Sequence, residues 1–183
     1  MAAASSNDKP YVTLILGGAR SGKSAHGEAC AERRSGALVY IATAEAGDDE
    51  MASRIAAHRA RRGPRWTTVE EPLELVDALE RAATPNGAVL VDCLTLWLAN
   101  LIAAGRDVAA ETDALAATLA SLPGAVLLVS NEVGLGIVPD NRAARAFRDH
   151  AGRLHQRIAS AADRVLFMAA GLPLFLKGKD EDG

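Results

Sequence analysis

Residues Gly17-Gly18-Ala19-Arg20-Ser21-Gly22-Lys23-Ser24 fit the pattern GxxxxGK[ST] at every position. Each residue type has a chemical reason to stand there. Glycines let backbone N–H groups turn toward phosphate oxygens without a Cβ clash. A helix beginning at Lys23 adds positive potential at its first turn. The Lys23 ammonium reaches the β and γ phosphates, and the Ser24 hydroxyl is the expected Mg²⁺ ligand. A chance glycine-rich turn is the plain alternative. The flanking sequence weighs against it, because the apolar run Tyr11–Leu16 is a strand pattern and the alanine-rich run after Lys23 is a helix pattern.

Other residues could join this chemistry. Asp92 follows the apolar run Ala88–Val91, so its carboxylate stands where a parallel strand meets a ligand and suits a Mg²⁺ partner; capping of the helix from Leu94 is the other reading. His58 shares a helical face with Met51 and Ile55, and Arg62 lies one turn further on. From spacing alone, His58 is either a satisfied core histidine or a nucleophile. His26 sits one turn past the glycines, and His150 and His155 lie along a late helix with Arg148 and Arg153. Asn131 and Glu132 end the run Ala125–Val129 and face the same side of the sheet as Asp92.

These residues need a scaffold, and the chain supplies an alternation of strand and helix patterns. The spacing predicts strands over Tyr11–Leu16, Leu38–Ala42, Ala88–Val91, Ala125–Val129 and Arg164–Met168, a short one over Trp66–Val69, and an antiparallel last strand over Leu172–Lys177. Helices are predicted over Lys23–Arg33, Asp48–Arg62, Pro72–Ala83, Leu94–Ala104, Glu111–Leu122 and from Asp140 or Asn141 to about Ala162. Pro72 is placed in the first turn of its helix. Apolar runs without alternation, separated by helices, imply an α/β fold with a mostly parallel sheet covered on both faces.

At 183 residues the chain suits one domain over residues 11–177, with residues 1–10 as a disordered leader and 178–183 as a polar tail. Such a domain removes about 70% of the unfolded chain's surface from water. The net charge of −3 argues against a nucleic-acid partner, and no run is long and apolar enough for a membrane span. Cys30 and Cys93 fit neither a zinc site nor a disulfide framework and are expected to be reduced packing residues in a cytoplasmic protein.

Read in order, GGARSGKS (17–24), YIATA (40–44), DDEMASRIAAHRARRG (48–63), VDCLTLWLANL (91–101), SNEVGLGIVPDNRAARAFRDHAGRLHQRIA (130–159) and GLPLFLK (171–177) resemble one family. It is the bifunctional adenosylcobinamide kinase/adenosylcobinamide-phosphate guanylyltransferase of cobalamin biosynthesis. The glycine-rich segment is shared with many P-loop NTPases; the NEVGxGIVP run and the helix after it are far more specific. Some members carry glutamate where Asp92 stands.

The resemblance implies a RecA-like P-loop fold, a homotrimer and two reactions. ATP or GTP phosphorylates the hydroxyl on the aminopropanol arm of adenosylcobinamide. GTP then donates GMP to that phosphate, giving adenosylcobinamide-GDP and pyrophosphate. The resemblance makes His58 the guanylylated nucleophile, with Arg59, Arg61 and Arg62 neutralising phosphate charge or standing on a solvated helix face. It places Ala42, Thr43 and Ala44 near the nucleotide. Glu70 becomes a candidate for guanine recognition or an ordinary exposed acid. Lys23 and the rest of residues 17–24 hold phosphates, and Ser24 and Asp92 hold Mg²⁺. Some of Asn131, Glu132, Gly134, Gly136, Arg145, Arg148 and Asp149 are expected to bind the corrinoid arm or order the loop, with a capped helix carrying surface ion pairs as the other reading for Arg148 and Asp149. A monofunctional small-molecule kinase and a nucleotide-gated binding module are the competing functions.

Overall fold

The computed structural model describes residues 9–44 and 62–179. Its strands are β1 (Tyr11–Gly17), β2 (Leu38–Ala42), β3 (Trp66–Glu70), β4 (Ala88–Asp92), β5 (Ala125–Asn131), β6 (Arg164–Ala169) and β7 (Leu172–Lys177). Its helices are α1 (Lys23–Glu32), α2 (Leu75–Ala82), α3 (Leu94–Ala103), α4 (Val108–Leu119) and α5 (Arg142–Ala161). The helix predicted over 48–62 lies outside the described residues except for Arg62, as do most of the expected leader and tail. Lys9 is described, and its carbonyl accepts a hydrogen bond from Arg34.

The strands form one sheet in the order β3-β2-β4-β5-β1-β6-β7. Every pairing is parallel except β6 with β7. The central strands are buried on both faces, which explains their unbroken apolar runs. Side chains alternate across the sheet. Val12, Leu14, Val89, Val91, Val126 and Leu128 join a core with α2, α3, α4 and α5. Ile15, Leu38, Tyr40, Leu90, Leu127 and Val129 face the other way, toward α1.

Helices α4 and α2 differ from expectation in their bounds, and α4 ends at Leu119 rather than Leu122. Helix α4 begins at Val108 because the Asp107 carboxylate caps it, accepting from Ala109 N and Ala110 N. Pro72 does not open α2. It lies in the preceding turn, where the Glu71 carboxylate accepts from Leu73 N and Glu74 N, and the helix starts only at Leu75. Helix α5 is capped by Asn141, whose side chain accepts from Ala144 N.

Strands β4 and β5 run beyond their apolar cores. Their regular pairing includes Asp92, while β5 continues beside β1 to Asn131 opposite Gly17. Two polar side chains are thereby fixed at the C-terminal end of the sheet, where open α/β folds bind ligands.

Candidate active site

The segment between β1 and α1 is shaped by close backbone approach. A Cβ on Gly17 (φ 150°) would stand 2.5 Å from the Met168 carbonyl oxygen. Gly22 (φ 98°) lies in the left-handed region, and a Cβ there would meet Gly171 Cα at 3.1 Å. The contact is reinforced by Gly171 N–H, which donates to Ser21 O at 3.0 Å. The β6–β7 turn therefore buttresses the glycine-rich loop. Arg20, at φ 57°, is a non-glycine residue in the left-handed region within that loop.

Lys23 is buried at the first turn of α1, and its ammonium donates to Gly18 O at 2.6 Å. Burial lowers its pKa, while the charge of Asp92 opposes that shift. A cavity of about 500 Å³ opens here. Residues 19–25 form one wall, and Tyr40, Ala42, Ala44, Asp92 and Cys93 from β2, β4 and their ends form another. Arg62, Thr68, Leu96, Val129 and Asn131 complete it.

Asp92 does not cap α3. The N-cap residue is Cys93, without a side-chain cap, and Asp92 Oδ2 instead accepts from the Tyr40 hydroxyl at 3.0 Å. Tyr40 is one of several cavity residues that sequence reasoning missed, with Thr68, Cys93 and Leu96 among the others. Ala42 is in register with Asp92, and Tyr40 lies two residues earlier on the same face. A long phenol crosses that diagonal where a shorter side chain would not. Burial, then the Asp92 charge, pushes its hydroxyl above the ordinary phenol range. The ring also carries Arg62, whose guanidinium carbon is 3.5 Å from its centroid. Arg62 Nη2 donates to Thr68 Oγ1 at 3.2 Å, while Nε and Nη1 are buried with no hydrogen-bond partner among the described residues. Unpaired guanidinium donors at a cavity edge suit a phosphate.

The remaining expected residues are distributed as follows. Ala42 and Ala44 line the cavity, but Thr43 does not; it is fully buried, with its hydroxyl bonded to the Cys93 backbone. Glu70 is exposed at the end of β3 and away from the cavity wall. His58, Arg59 and Arg61 lie outside the described residues. Arg145 and Arg148 order the loop after β5: Arg145 donates to Pro139 O and Asp140 O, and Arg148 to Ile137 O and Gly134 O. His26 contacts Cys30 Sγ at 3.5 Å and does not line the cavity. His155 is buried on α5, with Nε2 2.8 Å from Ser130 Oγ. Burial lowers its pKa, with Glu132 opposing.

Comparison with known proteins agrees with this geometry. The family model described as "Cobinamide kinase / cobinamide phosphate guanyltransferase" matches residues 13–176. The bifunctional adenosylcobalamin biosynthesis protein CobP of Pseudomonas aeruginosa is 52% identical over 168 residues, covering 91% of this chain and 97% of the relative. Its counterpart CobU of Escherichia coli K12 is 41% identical over 179 residues, covering 90% and 98%. Among solved structures, an ATPase from the type III secretion system of pathogenic bacteria superimposes with a TM-score of 0.58 at 12% identity, covering 90% of this chain and 56% of that one. That likeness speaks for the P-loop NTPase fold alone. The matched length and the level of identity place this chain in the cobinamide kinase / cobinamide phosphate guanyltransferase family, as a bifunctional enzyme of cobalamin biosynthesis.

Proposed function

We propose that both activities use the cavity beside the glycine-rich loop. In the first, a nucleoside triphosphate lies with its phosphates along residues 17–24 and phosphorylates the side-arm hydroxyl of adenosylcobinamide. In the second, GTP gives its GMP first to His58 and then to that new phosphate, releasing pyrophosphate. The observation that carries this reading is the meeting of Lys23, Asp92 and Arg62 around one cavity of about 500 Å³. His58 stands four residues before Arg62 in the sequence, and that proximity supports assigning the second activity to the same cavity.

The chemistry divides among the residues. Lys23 and the backbone N–H groups of residues 18–24 stabilise charge on the transferring phosphoryl group. The Arg62 guanidinium, held over the Tyr40 ring, offers Nε–H and Nη1–H, which have no partner among the described residues, to a phosphate. Arg59 and Arg61 are assigned to the same charge. His58, as a neutral imidazole, attacks the α-phosphorus, forming an N–P bond as the bond to pyrophosphate breaks. Glu70 is assigned to guanine recognition, accepting from N1–H and the amino group.

Ser24 and Asp92 supply the donor set for Mg²⁺. Both line the cavity and both offer hard oxygen ligands. Asp92 Oδ2 is held by Tyr40, and Oδ1 makes no hydrogen bond among the described residues. Such a donor set fits the ion, which would neutralise phosphate charge when bound.

We also propose a homotrimer in the cytoplasm. Leu172, Leu174 and Leu176 on edge strand β7, and Leu135, Ile137 and Val138 in the loop after β5, are exposed apolar residues that support self-association. Cys30 and Cys93 are not joined in a disulfide, which supports a reducing compartment. Sedimentation equilibrium gives the mass: three chains are expected, and a monomer at micromolar concentration would refute the assembly.

Incubation with GTP labelled at the α-phosphate tests the central proposal. A covalent GMP adduct that is labile in acid and stable in alkali is expected. Kinase activity with no adduct would leave the monofunctional reading.

A further inference from the structure

The β5 strand ends by sending consecutive side chains to opposite sides of the sheet. Val129 and Asn131 line the cavity, while Ser130 is fully buried toward α3 and α5. Asp92 is in register with Val129, so Asn131 stands two residues further along, about 7 Å beyond Asp92 toward the ligand end. Its side-chain amide makes no hydrogen bond among the described residues. Its backbone is held on both sides. Asn131 N–H donates to Thr95 Oγ1 at 2.7 Å, and the next N–H, of Glu132, donates to Gly17 O at 3.0 Å.

The clamp extends into the core. Thr95 Oγ1 lies 3.0 Å from Ser130 Oγ, which lies 2.8 Å from His155 Nε2. His155 Nδ1 faces Glu132 Oε2 at 3.8 Å. That contact is too long for a hydrogen bond, but the negative charge beside Nδ1 favours the tautomer protonated there, and we assign Nε2 as the acceptor from Ser130 on that ground. Every other bond then has one direction: Asn131 N–H to Thr95, Thr95 to Ser130, Ser130 to His155. Such a chain polarises cooperatively and fixes the backbone that carries the amide. Ser130, His155 and Glu132 have the connectivity of a nucleophile triad, but a serine without solvent exposure has no substrate to attack.

We propose that the Asn131 amide aligns the hydroxyl of the phosphoryl acceptor against the γ-phosphoryl group in the kinase reaction, with Thr95, Ser130 and His155 as its positioning residues. The inference rests on the nucleotide placement proposed above. An amide suits the task because Oδ1 accepts from the acceptor's O–H while Nδ2 donates to the γ-phosphoryl oxygens. A carboxylate at this point would repel those oxygens. As the acceptor oxygen bonds to the γ-phosphorus, the bond to the nucleoside diphosphate breaks and the hydroxyl proton leaves to a phosphate oxygen or solvent; the amide takes no proton, so its contribution is alignment.

The test measures kinase kcat, the KM of the acceptor, nucleotide affinity by a fluorescent GTP analogue, and nucleotide hydrolysis without acceptor. Asn131→Ala is expected to lower kcat about a hundredfold, with far smaller falls in nucleotide affinity and in acceptor-free hydrolysis. Asn131→Asp keeps the size and loses the donor, and is expected to be at least as slow. Thr95→Val removes the nearest link and is expected to lower kcat about tenfold, again with a far smaller fall in nucleotide affinity. Wild-type kcat in either Asn131 variant would overturn the proposal. So would a fall in nucleotide affinity matching the fall in kcat, which would mark Asn131 as a binding or folding residue. Failure of the underlying placement has a separate signature, namely Lys23→Ala with undiminished nucleotide affinity and kinase rate.

Discussion

The Thr43 hydroxyl bonds to both backbone polar groups of Cys93, donating to its carbonyl at 2.7 Å and accepting from its N–H at 2.9 Å. One side chain thus joins the exits of β2 and β4, the two strands that deliver Tyr40 and Asp92 to the cavity. Asn100 from α3 adds to the joint by donating to Thr43 O at 2.8 Å and Pro72 O at 3.1 Å.

Thr43→Val should therefore act on the scaffold. It keeps the shape but leaves a buried N–H and a buried carbonyl with poorer satisfaction. A loss of about 1–3 kcal/mol in unfolding free energy is expected in urea denaturation. Nucleotide affinity of the folded fraction should change little. A selective loss of nucleotide affinity at full stability would instead make Thr43 a ligand contact.

Asp92→Asn preserves the bond from Tyr40 but removes the negative charge. Nucleotide binding should weaken in the presence of Mg²⁺ and change little in EDTA, because a neutral amide is a poorer ligand for a hard cation. Titrating a fluorescent GTP analogue with and without Mg²⁺ measures the difference. Equal affinities for wild type and variant in both buffers would remove Asp92 from the metal site.

His58→Ala separates the two activities. Covalent labelling by GTP and guanylyl transfer should disappear while phosphorylation of adenosylcobinamide persists, both measured on one folded preparation. Undiminished labelling would exclude His58 as the nucleophile. Parallel loss of both activities with a falling melting temperature would make it a packing residue.

The depressed pKa of His155 predicts a stability that depends on pH. Its folded pKa lies below the unfolded value near 6.5, so between the two the unfolded chain binds more protons. The stabilisation is present above about pH 6.5 and is lost as pH falls through that window toward the folded pKa. Denaturation midpoints should drop from pH 7.5 to 5.5, and the drop should shrink in His155→Asn, whose amide does not titrate. An identical pH slope in the variant would assign the effect to other groups.

Residues 17–24 point to a phosphate site from the sequence alone because that chemistry would be local: glycines, lysine and hydroxyl stand within one turn between a strand and a helix. The place of Asp92 on the cavity wall was legible for a related reason, since an acidic residue ending an apolar run falls at the C-terminal end of a buried strand. The strand and helix order follows from hydropathy period, and β7 from the glycine turn before it. Partners distant in sequence were decided only by the tertiary structure. Tyr40 meets Asp92 because β2 and β4 pair in a register set by packing along their whole length. Thr43 stands in a motif that points to ligand contact, yet the close approach of Cys93 turns its hydroxyl into a structural joint. His155 looked like one of several polar residues on a long helix. It became the end of a buried chain to Asn131 because α5 lays that side chain against the face of β5 opposite the cavity. Local motifs record what a segment can bind; which face a side chain shares, and with whom, depends on how separate segments pack together.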